Sequence, residues 1–283
     1  MEYITMRNGT KVPMLGLGCY KSEEQEGVEA VKSAIEIGYR HIDTANFYEN
    51  EKYVGRGIRE SGIDREKLFV VSKIWPTSFK TPEVAIEYSM RALNIDYIDM
   101  YLLHWPSQNE YARNHAFETL LKYKEKGYFK EVGVSNFKKE HLEKLKETFG
   151  FYPMMNQIEI SPWLQKKEDY AFCQENDIVM TACVPFAKGN ILNDPKLVEI
   201  AEKHGKNVGQ VILRWNIQRG NCVIPKSSKP HRIADNFNIF DFELDADDMA
   251  VIGTMENGNS YCSDSSVFTG DLWNIEDHLL NRE

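Results

Sequence analysis

The stretch LFVVSKIWPTSFKTPEVAIEYSMRALNIDYIDMYLLH, residues 68–104, decides the fold class. It begins and ends with runs of β-branched and apolar residues, Leu68–Lys73 and Tyr97–His104, which predict buried strands. Between them, Pro82–Leu93 carries an apolar stripe on one face and starts with Pro, as many helices do. A strand, a helix and a second strand in this order predict a parallel βαβ unit.

The same alternation runs along the whole chain. Further helices are predicted at Glu24–Ile37, Phe117–Lys126 and Lys139–Phe149, with another helix start at Asp194-Pro195. Eight strands are predicted in all, the other six being Leu15–Gly18, Arg40–Asp43, Glu131–Ser135, Met155–Glu159, Ile178–Cys183 and Cys222–Pro225.

Eight βα units in 283 residues fit a (β/α)₈ TIM barrel. The alternative is an open, doubly wound sheet, but its glycine fingerprint is incomplete because Gly16-Leu17-Gly18 is followed by Lys21 where a third glycine is needed. No Walker A sequence is present. The barrel is therefore the predicted architecture.

A short hairpin is predicted before the first barrel strand, because Asn8-Gly9 suits a two-residue type I′ turn. We expect it to cover the barrel floor. No linker-like segment divides the chain, so we expect a single domain over residues 1–283, with a C-terminal loop from about residue 254.

Composition excludes several classes of function. With 34 basic and 43 acidic residues the formal charge is −9, which argues against binding to nucleic acid or anionic membranes. No segment approaches a membrane span, and the N-terminus lacks a signal-peptide pattern, so we expect a cytoplasmic protein. The five cysteines form no Cys-x-x-Cys pair, which indicates reduced thiols and no metal site. We expect a monomer or a weak dimer.

Four strands end in polar residues at nearly equal spacing. Asp43, Lys73, His104 and Ser135-Asn136 follow one another at intervals of 30, 31 and 31 residues, about one βα unit each. In a (β/α)₈ barrel the carboxyl ends of the strands meet at one mouth. A buried aspartate and a buried lysine also need partners. The spacing therefore predicts a shared site.

Five sequence blocks between about Gly9 and Met249 resemble the aldo-keto reductases. The resemblance implies a (β/α)₈ barrel that binds NADPH without a Rossmann domain and reduces aldehydes or ketones to alcohols. The alternatives are a noncatalytic, nucleotide-binding regulatory member of the same family and a phosphate-handling isomerase or lyase on the same barrel. The blocks are Gly38–Ala45 with Tyr48 and Glu51, Leu102–Pro106, Gly133–Phe137, Asn156–Glu159 and Ile224–Ser227.

The resemblance places a catalytic tetrad on Asp43, Tyr48, Lys73 and His104. Tyr48 would donate the proton, and we expect the Lys73 ammonium to lower its pKa from the usual value near 10. Asp43 would hold Lys73 in place, and His104 would orient the substrate oxygen. Histidine at position 104, where steroid double-bond reductases of the family carry Glu, favours carbonyl chemistry.

The resemblance also implies the cofactor contacts. Ser135, Asn136 and Gln157 would bind the nicotinamide carboxamide, whose donor and acceptor match a hydroxyl and two amides. A basic block at a strand-to-helix junction would bind the adenosine end, and its 2′-phosphate would favour NADPH over NADH. The expected cofactor residues are Asp43, Ser135, Asn136, Gln157, Cys183, Lys226 and Arg232 (2′-phosphate), Ser227, Ser228, and Asn236 (adenine).

Two regions depart from the family pattern. Cys183 replaces the Tyr that usually stacks on the nicotinamide, and Val184 replaces a Ser, so we expect weaker cofactor binding than in a Cys183→Tyr variant. Oxidation of Cys183 near the cofactor is left open, but no basic residue adjoins it in sequence to lower the pKa of its thiol. The C-terminal tail, with Phe268 and Trp273, also diverges.

The expected substrate residues are aromatic or catalytic and follow strand ends. Small aldehydes, α-keto compounds, sugars and prostaglandin-like ketones all remain open as substrates, because the loops that select them carry no decisive motif. The residues are Tyr20, which replaces a more usual Trp, Tyr48, Trp75, His104 and Trp105.

Overall fold

The computed structural model describes residues 1–22 and 24–268, and it contains a two-stranded antiparallel hairpin and an eight-stranded parallel sheet. The hairpin consists of β1 (Tyr3–Thr5) and β2 (Lys11–Pro13). The parallel strands are β3 (Gly16–Gly18), β4 (His41–Asp43), β5 (Phe69–Ile74), β6 (Ile98–Leu103), β7 (Phe129–Ser135), β8 (Met155–Glu159), β9 (Val179–Cys183) and β10 (Cys222–Val223).

The parallel strands pair in chain order, and the first and last strands also meet. Parallel bridges join Leu15 to Val223 and Gly18 to Lys226, which brings the two edges of the sheet together. A Cβ at Gly18 would lie 2.8 Å from the backbone oxygen of Ile224, so only glycine permits this approach. The predicted (β/α)₈ barrel is confirmed, and the doubly wound sheet is excluded.

Helices follow the strands around the barrel. Their bounds are α1 (Glu24–Ile37), α2 (Glu51–Glu60), α3 (Pro82–Leu93), α4 (Glu110–Glu125), α5 (Lys139–Phe149), α6 (Lys167–Glu175), α7 (Pro195–His204), α8 (Val208–Gln218), α9 (Pro230–Phe237) and α10 (Ala246–Gly253). No helix within residues 1–22 and 24–268 is long and apolar enough to cross a membrane.

The start of α4 differs from the prediction, which began this helix at Phe117. The helix begins at Glu110, where the side chain of Asn109 accepts a hydrogen bond of 3.0 Å from the N–H of Ala112. Its first turn is polar, and Tyr111 is 85% exposed, so apolar periodicity is absent from this part of the helix. The predicted bounds of α1, α3 and α5 are confirmed.

The hairpin covers the amino-terminal ends of the barrel strands, but its turn is not type I′. Residues 6–10 link β1 and β2, and only Gly9 of the Asn8-Gly9 pair has a positive φ, whereas type I′ needs it at both positions. The Asn8 amide instead donates a 2.6 Å hydrogen bond to Glu131, near the start of β7. The turn prediction was wrong because five residues, not two, connect the strands.

The register of the strands brings their carboxyl ends to one mouth. Gly18 pairs with Asp43, Ser135 pairs with Gln157, and Glu159 pairs with Cys183. All six residues of β5 are buried, as expected for a parallel strand covered on both sides. Polar side chains that end these strands therefore face a common space.

Candidate active site

A buried ion pair lies at the centre of the mouth. Lys73, from β5, donates hydrogen bonds from Nζ to Asp43 Oδ1 at 2.6 Å and to the backbone oxygen of Thr44 at 2.8 Å. Gln157, from β8, donates to the other carboxylate oxygen of Asp43 at 2.7 Å. Both charges thus have hydrogen-bonded partners, which buried charges require. The expectation that Asp43 would hold Lys73 agrees with this geometry.

Tyr48 lies beside this ion pair, at the end of the 3₁₀ turn Asn46–Tyr48. The Lys73 ammonium is 5.1 Å from the centre of the Tyr48 ring. Burial nevertheless raises the pKa of Tyr48 well above 10, and the Asp43 carboxylate raises it further. The expectation of a lowered pKa was wrong, because burial disfavours the phenolate, the Asp43 carboxylate repels it, and together these effects exceed any stabilisation by Lys73. The Tyr48 hydroxyl therefore keeps its proton.

His104 follows β6 and lies against Tyr48, with ring centroids 5.6 Å apart and an interplanar angle of 75°. Burial and the Lys73 charge lower the pKa of His104 well below 6.5, so the imidazole is neutral. Its Nδ1 is buried and has no hydrogen-bond partner in the part of the chain that the structure describes. A neutral imidazole can donate one hydrogen bond and accept another.

Ser135 and Asn136, at the end of β7, extend the polar network. Ser135 Oγ donates to the backbone oxygen of Gln157 at 2.8 Å. The Asn136 amide donates to the backbone oxygen of His104 at 2.9 Å and to Ser135 Oγ at 3.1 Å. Asn136 adopts a left-handed backbone conformation with φ of 62°. Hydrogen bonds thus run from Asn136 through Ser135 and Gln157 to Asp43.

Tyr20 forms one wall beside the tetrad. Its ring meets Tyr48 edge to face, with centroids 5.0 Å apart, and it is 46% exposed. The two rings line a cavity of about 400 Å³. The other lining residues are Lys21, Glu24, Phe47, Glu49 and Tyr53.

A second aromatic wall lies on the other side of His104. The Trp75 ring contacts the His104 ring edge to face, with centroids 5.0 Å apart. It also stacks on the Phe47 ring, with centroids 3.8 Å apart and 9° between the planes. The centroid of the Phe268 ring lies 4.2 Å from that of Trp105 and 5.5 Å from that of Trp75. Trp75 and Trp105 therefore flank the site as expected, and Phe268 packs over them. Phe47 was not singled out from the sequence.

The basic block follows β10 and lies next to β3. Lys226 bridges to Gly18, and Lys226 and Arg232 are exposed. Neither forms an ion pair with any residue in the described ranges. Arg232 belongs to the first turn of α9, where backbone N–H groups favour anions. Two cations without an ion-pair partner among the described residues, close to the start of a helix, suit the binding of a phosphate group.

The remaining residues of this block surround the same helix start. Ser227 Oγ accepts a hydrogen bond from the N–H of Lys229 at 3.2 Å, and Lys229 pairs with Glu26 of α1 at 2.8 Å. Hydrogen bonds from Lys229 and Ser228 lower the pKa of Glu26. Asn236 lies near the end of α9 and is almost fully buried.

The segment that follows Tyr48 is anchored by residues whose role the sequence did not reveal. Asn50 donates to the backbone oxygens of Cys19 at 2.6 Å and Ser22 at 3.0 Å, and it accepts from Thr44 Oγ1 at 2.7 Å. The next residue, Glu51, accepts a hydrogen bond from Ser72 of β5. Glu51 belongs to one of the blocks that resemble the family, which marked the position as important. The sequence alone does not show whether such a residue is a buried anchor or lies at the surface.

Glu159 is a second anchor that sequence reasoning missed. Its carboxylate accepts hydrogen bonds from Ser260 Oγ at 2.8 Å and from the backbone N–H groups of Tyr261 and Cys262, both at 2.9 Å. This places residues 260–262 beside the carboxyl ends of β8 and β9. Trp273 lies outside the described residues.

The sequence model of the Aldo/keto reductase family matches residues 9–256. The chain belongs to this family. Its barrel mouth, with the ion pair, Tyr48 and His104 together, occupies the end at which (β/α)₈ barrels carry their active sites.

Named relatives and a solved structure agree with this assignment. Glyoxal reductase of Bacillus subtilis is 45% identical over 258 residues, which cover 90% of this chain and 92% of the relative. Methylglyoxal reductase DkgA of Escherichia coli is 35% identical over 269 residues, covering 94% and 98%. The crystal structure of a Gox0644 variant in complex with NADPH superposes with a TM-score of 0.89 at 36% identity, covering 94% of this chain and 98% of that one.

Proposed function

We propose that this protein is an NADPH-dependent reductase of aldehydes and ketones and that Tyr48 donates the proton. The observation that carries the proposal is the convergence of Asp43, Lys73, Tyr48 and His104 at one barrel mouth. A buried phenol and a neutral imidazole side by side suit the binding and protonation of a carbonyl oxygen.

The residues at the mouth fit the nicotinamide end of the cofactor. Bound NADPH supplies the hydride. Ser135, Asn136 and Gln157 present two amides and a hydroxyl for its carboxamide group. At the other end, Lys226 and Arg232 are cations without an ion-pair partner among the described residues, which suits the 2′-phosphate. The NADPH complex of a structural neighbour supports the same choice.

The chain's own groups then divide the work. His104 holds the substrate oxygen through its neutral ring, and no hydrogen bond to Nδ1 from the described residues fixes which ring nitrogen carries the hydrogen. Tyr48 keeps its proton until negative charge develops on that oxygen and then transfers it. Lys73 lies close enough to stabilise the phenolate that remains, while Asp43 holds the ammonium in position.

We infer that small, reactive carbonyls such as α-oxoaldehydes are among the substrates. Two relatives are named as glyoxal and methylglyoxal reductases. The aromatic walls formed by Tyr20, Trp75 and Trp105 give the mouth apolar sides, with polar groups confined to one end.

The test is NADPH oxidation, followed by absorbance, across glyoxal, methylglyoxal, simple aldehydes and ketones. We expect turnover with several of them, and Tyr48→Phe should lose most turnover yet bind NADPH with unchanged affinity in a fluorescence titration. Tyr53→Phe is the matched control, because it removes a hydroxyl from the same cavity. Undiminished activity in Tyr48→Phe would falsify the acid assignment.

The alternatives give different results in the same assay. A noncatalytic nucleotide-binding member of the family would bind NADPH but oxidise none of it with any carbonyl. An isomerase or lyase would convert its substrate with no nicotinamide present. Either outcome would overturn the proposal.

A further inference from the structure

Two cysteines lie close together at the mouth of the barrel. Cys183 ends β9, and Cys262 lies in the loop after α10. The two side chains lie close enough together for Cys262 to raise the pKa of the Cys183 thiol. Glu159 sets this arrangement, since it is the sheet neighbour of Cys183 and accepts the backbone N–H of Cys262 at 2.9 Å.

The other cysteines are placed differently. Cys19, Cys173 and Cys222 are fully buried, and burial raises the pKa of Cys173 and of Cys222 to about 12. Buried thiols of this kind are inert, because the thiolate is the reactive form. Cys262 is only partly buried and lines a cavity of about 260 Å³. Cys183 is partly buried as well and lies near Cys262.

We propose that Cys183 and Cys262 are a site of oxidative modification, at which a peroxide converts the two thiols into an intramolecular disulfide. The Cys262 thiolate attacks a peroxide oxygen, the O–O bond breaks, and a sulfenic acid forms with release of water. Cys183 sulfur then attacks Cys262 sulfur, the S–O bond breaks, and a second water leaves. Two thiols are oxidised, and one hydrogen peroxide is reduced to two waters.

The order of attack follows from the surroundings of the two sulfurs. The neighbouring Cys262 thiol and burial raise the pKa of Cys183 well above 9, and the Glu159 carboxylate adds to this, while Lys73 acts in the opposite direction. Cys183 therefore stays a thiol until its neighbour is oxidised. Cys262, which lines the cavity, is the sulfur that a small peroxide meets first.

The disulfide would act on the site that we assign to carbonyl reduction. Both sulfurs lie near enough to Tyr48 to contribute to its electrostatic surroundings. A covalent link would tie residues 260–262 to the end of β9, beside the expected nicotinamide site. We expect the oxidised protein to reduce carbonyls more slowly and a dithiol to restore the rate. This consequence rests on the proposed function, whereas formation of the disulfide does not.

The experiment treats the purified full-length protein with hydrogen peroxide, blocks free thiols with N-ethylmaleimide under denaturing conditions, and measures intact and peptide masses. We expect a loss of two hydrogens, three alkylated cysteines, and a cross-linked peptide pair containing Cys183 and Cys262. Turnover with methylglyoxal and NADPH affinity are measured on the same samples before and after dithiothreitol.

Single variants separate the two sulfurs. Cys262→Ser should form no cross-link and keep its turnover in peroxide, whereas Cys183→Ser should accumulate a sulfenic acid at position 262 that dimedone traps. A pair that stays reduced while free cysteine in the same tube is oxidised would overturn the proposal, as would a disulfide that joins other cysteines or two chains. Because the masses need no catalysis, they decide the matter even if the protein reduces no carbonyl.

Discussion

Lys73 and Asp43 form a fully enclosed ion pair, with 2.6 Å between Nζ and Oδ1 and at most 2% of either side chain exposed. Taking both charges out of water is costly, and each stabilises the other only while both are present. The pair therefore links the stability of the barrel to the chemistry at its mouth.

Asp43→Asn should destabilise the protein by about 3–5 kcal/mol, because it leaves the Lys73 ammonium buried without a counter-charge. Urea unfolding measures this loss. The matched control is Glu118→Gln, which breaks the exposed pair with Lys122 and should change the free energy of unfolding far less, because water already screens that pair. Equal effects of the two variants would contradict the view that burial gives the pair its importance.

The double variant Asp43→Asn/Lys73→Met separates stability from catalysis. Removing both charges should recover most of the lost stability, since no unpaired charge remains. Turnover should stay as low as in the single variant, because no cation remains beside Tyr48. Recovery of activity together with stability would contradict a direct role for Lys73.

A second buried carboxyl, Glu51, predicts a pH dependence of stability. Burial raises the pKa of Glu51 to about 7, against the lowering effects of Ser72, Ser89 and Lys73. The folded protein keeps this proton between about pH 4.5 and pH 7, whereas the unfolded chain releases it. The stabilisation is therefore complete at low pH and is lost as pH rises through about 7.

Glu51→Gln removes this titration. Between about pH 5 and about pH 8 the natural protein should lose about 2 kcal/mol more of its free energy of unfolding than the variant does. Denaturant unfolding of both proteins across this range gives the measurement, with the exposed Glu118→Gln as control. Parallel stability curves for Glu51→Gln and the natural protein would show that Glu51 does not titrate there.

Arg232 should discriminate between the two nicotinamide dinucleotides. It is exposed at the first turn of α9 and has no ion-pair partner among the described residues. Arg232→Ala should weaken NADPH binding about 10- to 100-fold, as expected for loss of a charge-assisted hydrogen bond, and leave NADH affinity nearly unchanged. Fluorescence titrations with both nucleotides measure this, and the neighbouring His231→Ala is the control. Equal losses for both nucleotides would argue against a 2′-phosphate contact.

Much of the fold could be predicted from local pattern. The bounds of β8, α1, α3 and α5 agree with prediction, because each is an apolar run or stripe ended by turn residues or by Pro. The start of α4 at Glu110 could not be predicted, because the first turn of this helix is polar and its cap depends on Asn109. Local pattern is informative only where one face is buried.

The candidate site divides in the same way. Asp43, Lys73 and His104 could be placed together from strand ends at nearly equal spacing, which a barrel brings to one mouth, whereas Tyr48 was identified only through the family resemblance. The direction of the Tyr48 pKa shift could not be predicted, because it depends on how completely the ring is buried and on the repulsion from Asp43. Cys262 was missed because its link to the site runs through Glu159, which is distant in sequence and follows no period.

The cysteine at position 183 predicts weakened cofactor binding. An aromatic ring at the end of β9 would stack on the nicotinamide, so Cys183→Tyr should bind NADPH about fivefold more tightly, equivalent to ~1 kcal/mol. The variant is made together with Cys262→Ala, because Cys262 occupies adjacent space. Cys183→Ala/Cys262→Ala is the control, and fluorescence titration compares them. Equal or weaker binding by the tyrosine variant would count against a stacking role.

Asn50 should affect turnover without touching substrate or cofactor. It ties the segment after Tyr48 to the ends of β3 and β4 through three hydrogen bonds, to Cys19, Ser22 and Thr44. Asn50→Ala removes these three buried hydrogen bonds and should cost about 1–3 kcal/mol of stability. Because the Tyr48 hydroxyl would then be held less accurately, we expect kcat to fall while NADPH affinity is unchanged.

The control for Asn50 tests position rather than stability. Thr119→Ala removes a hydroxyl that donates to His115 on α4, far from Tyr48 in sequence, and should lower stability with no change in kcat. Asn50→Asp keeps the acceptor for Thr44 but loses both donors, so its kcat should lie between those of Asn50→Ala and the natural protein. If kcat fell equally in Thr119→Ala and Asn50→Ala at matched stability, Asn50 would be an ordinary structural residue and would not position Tyr48.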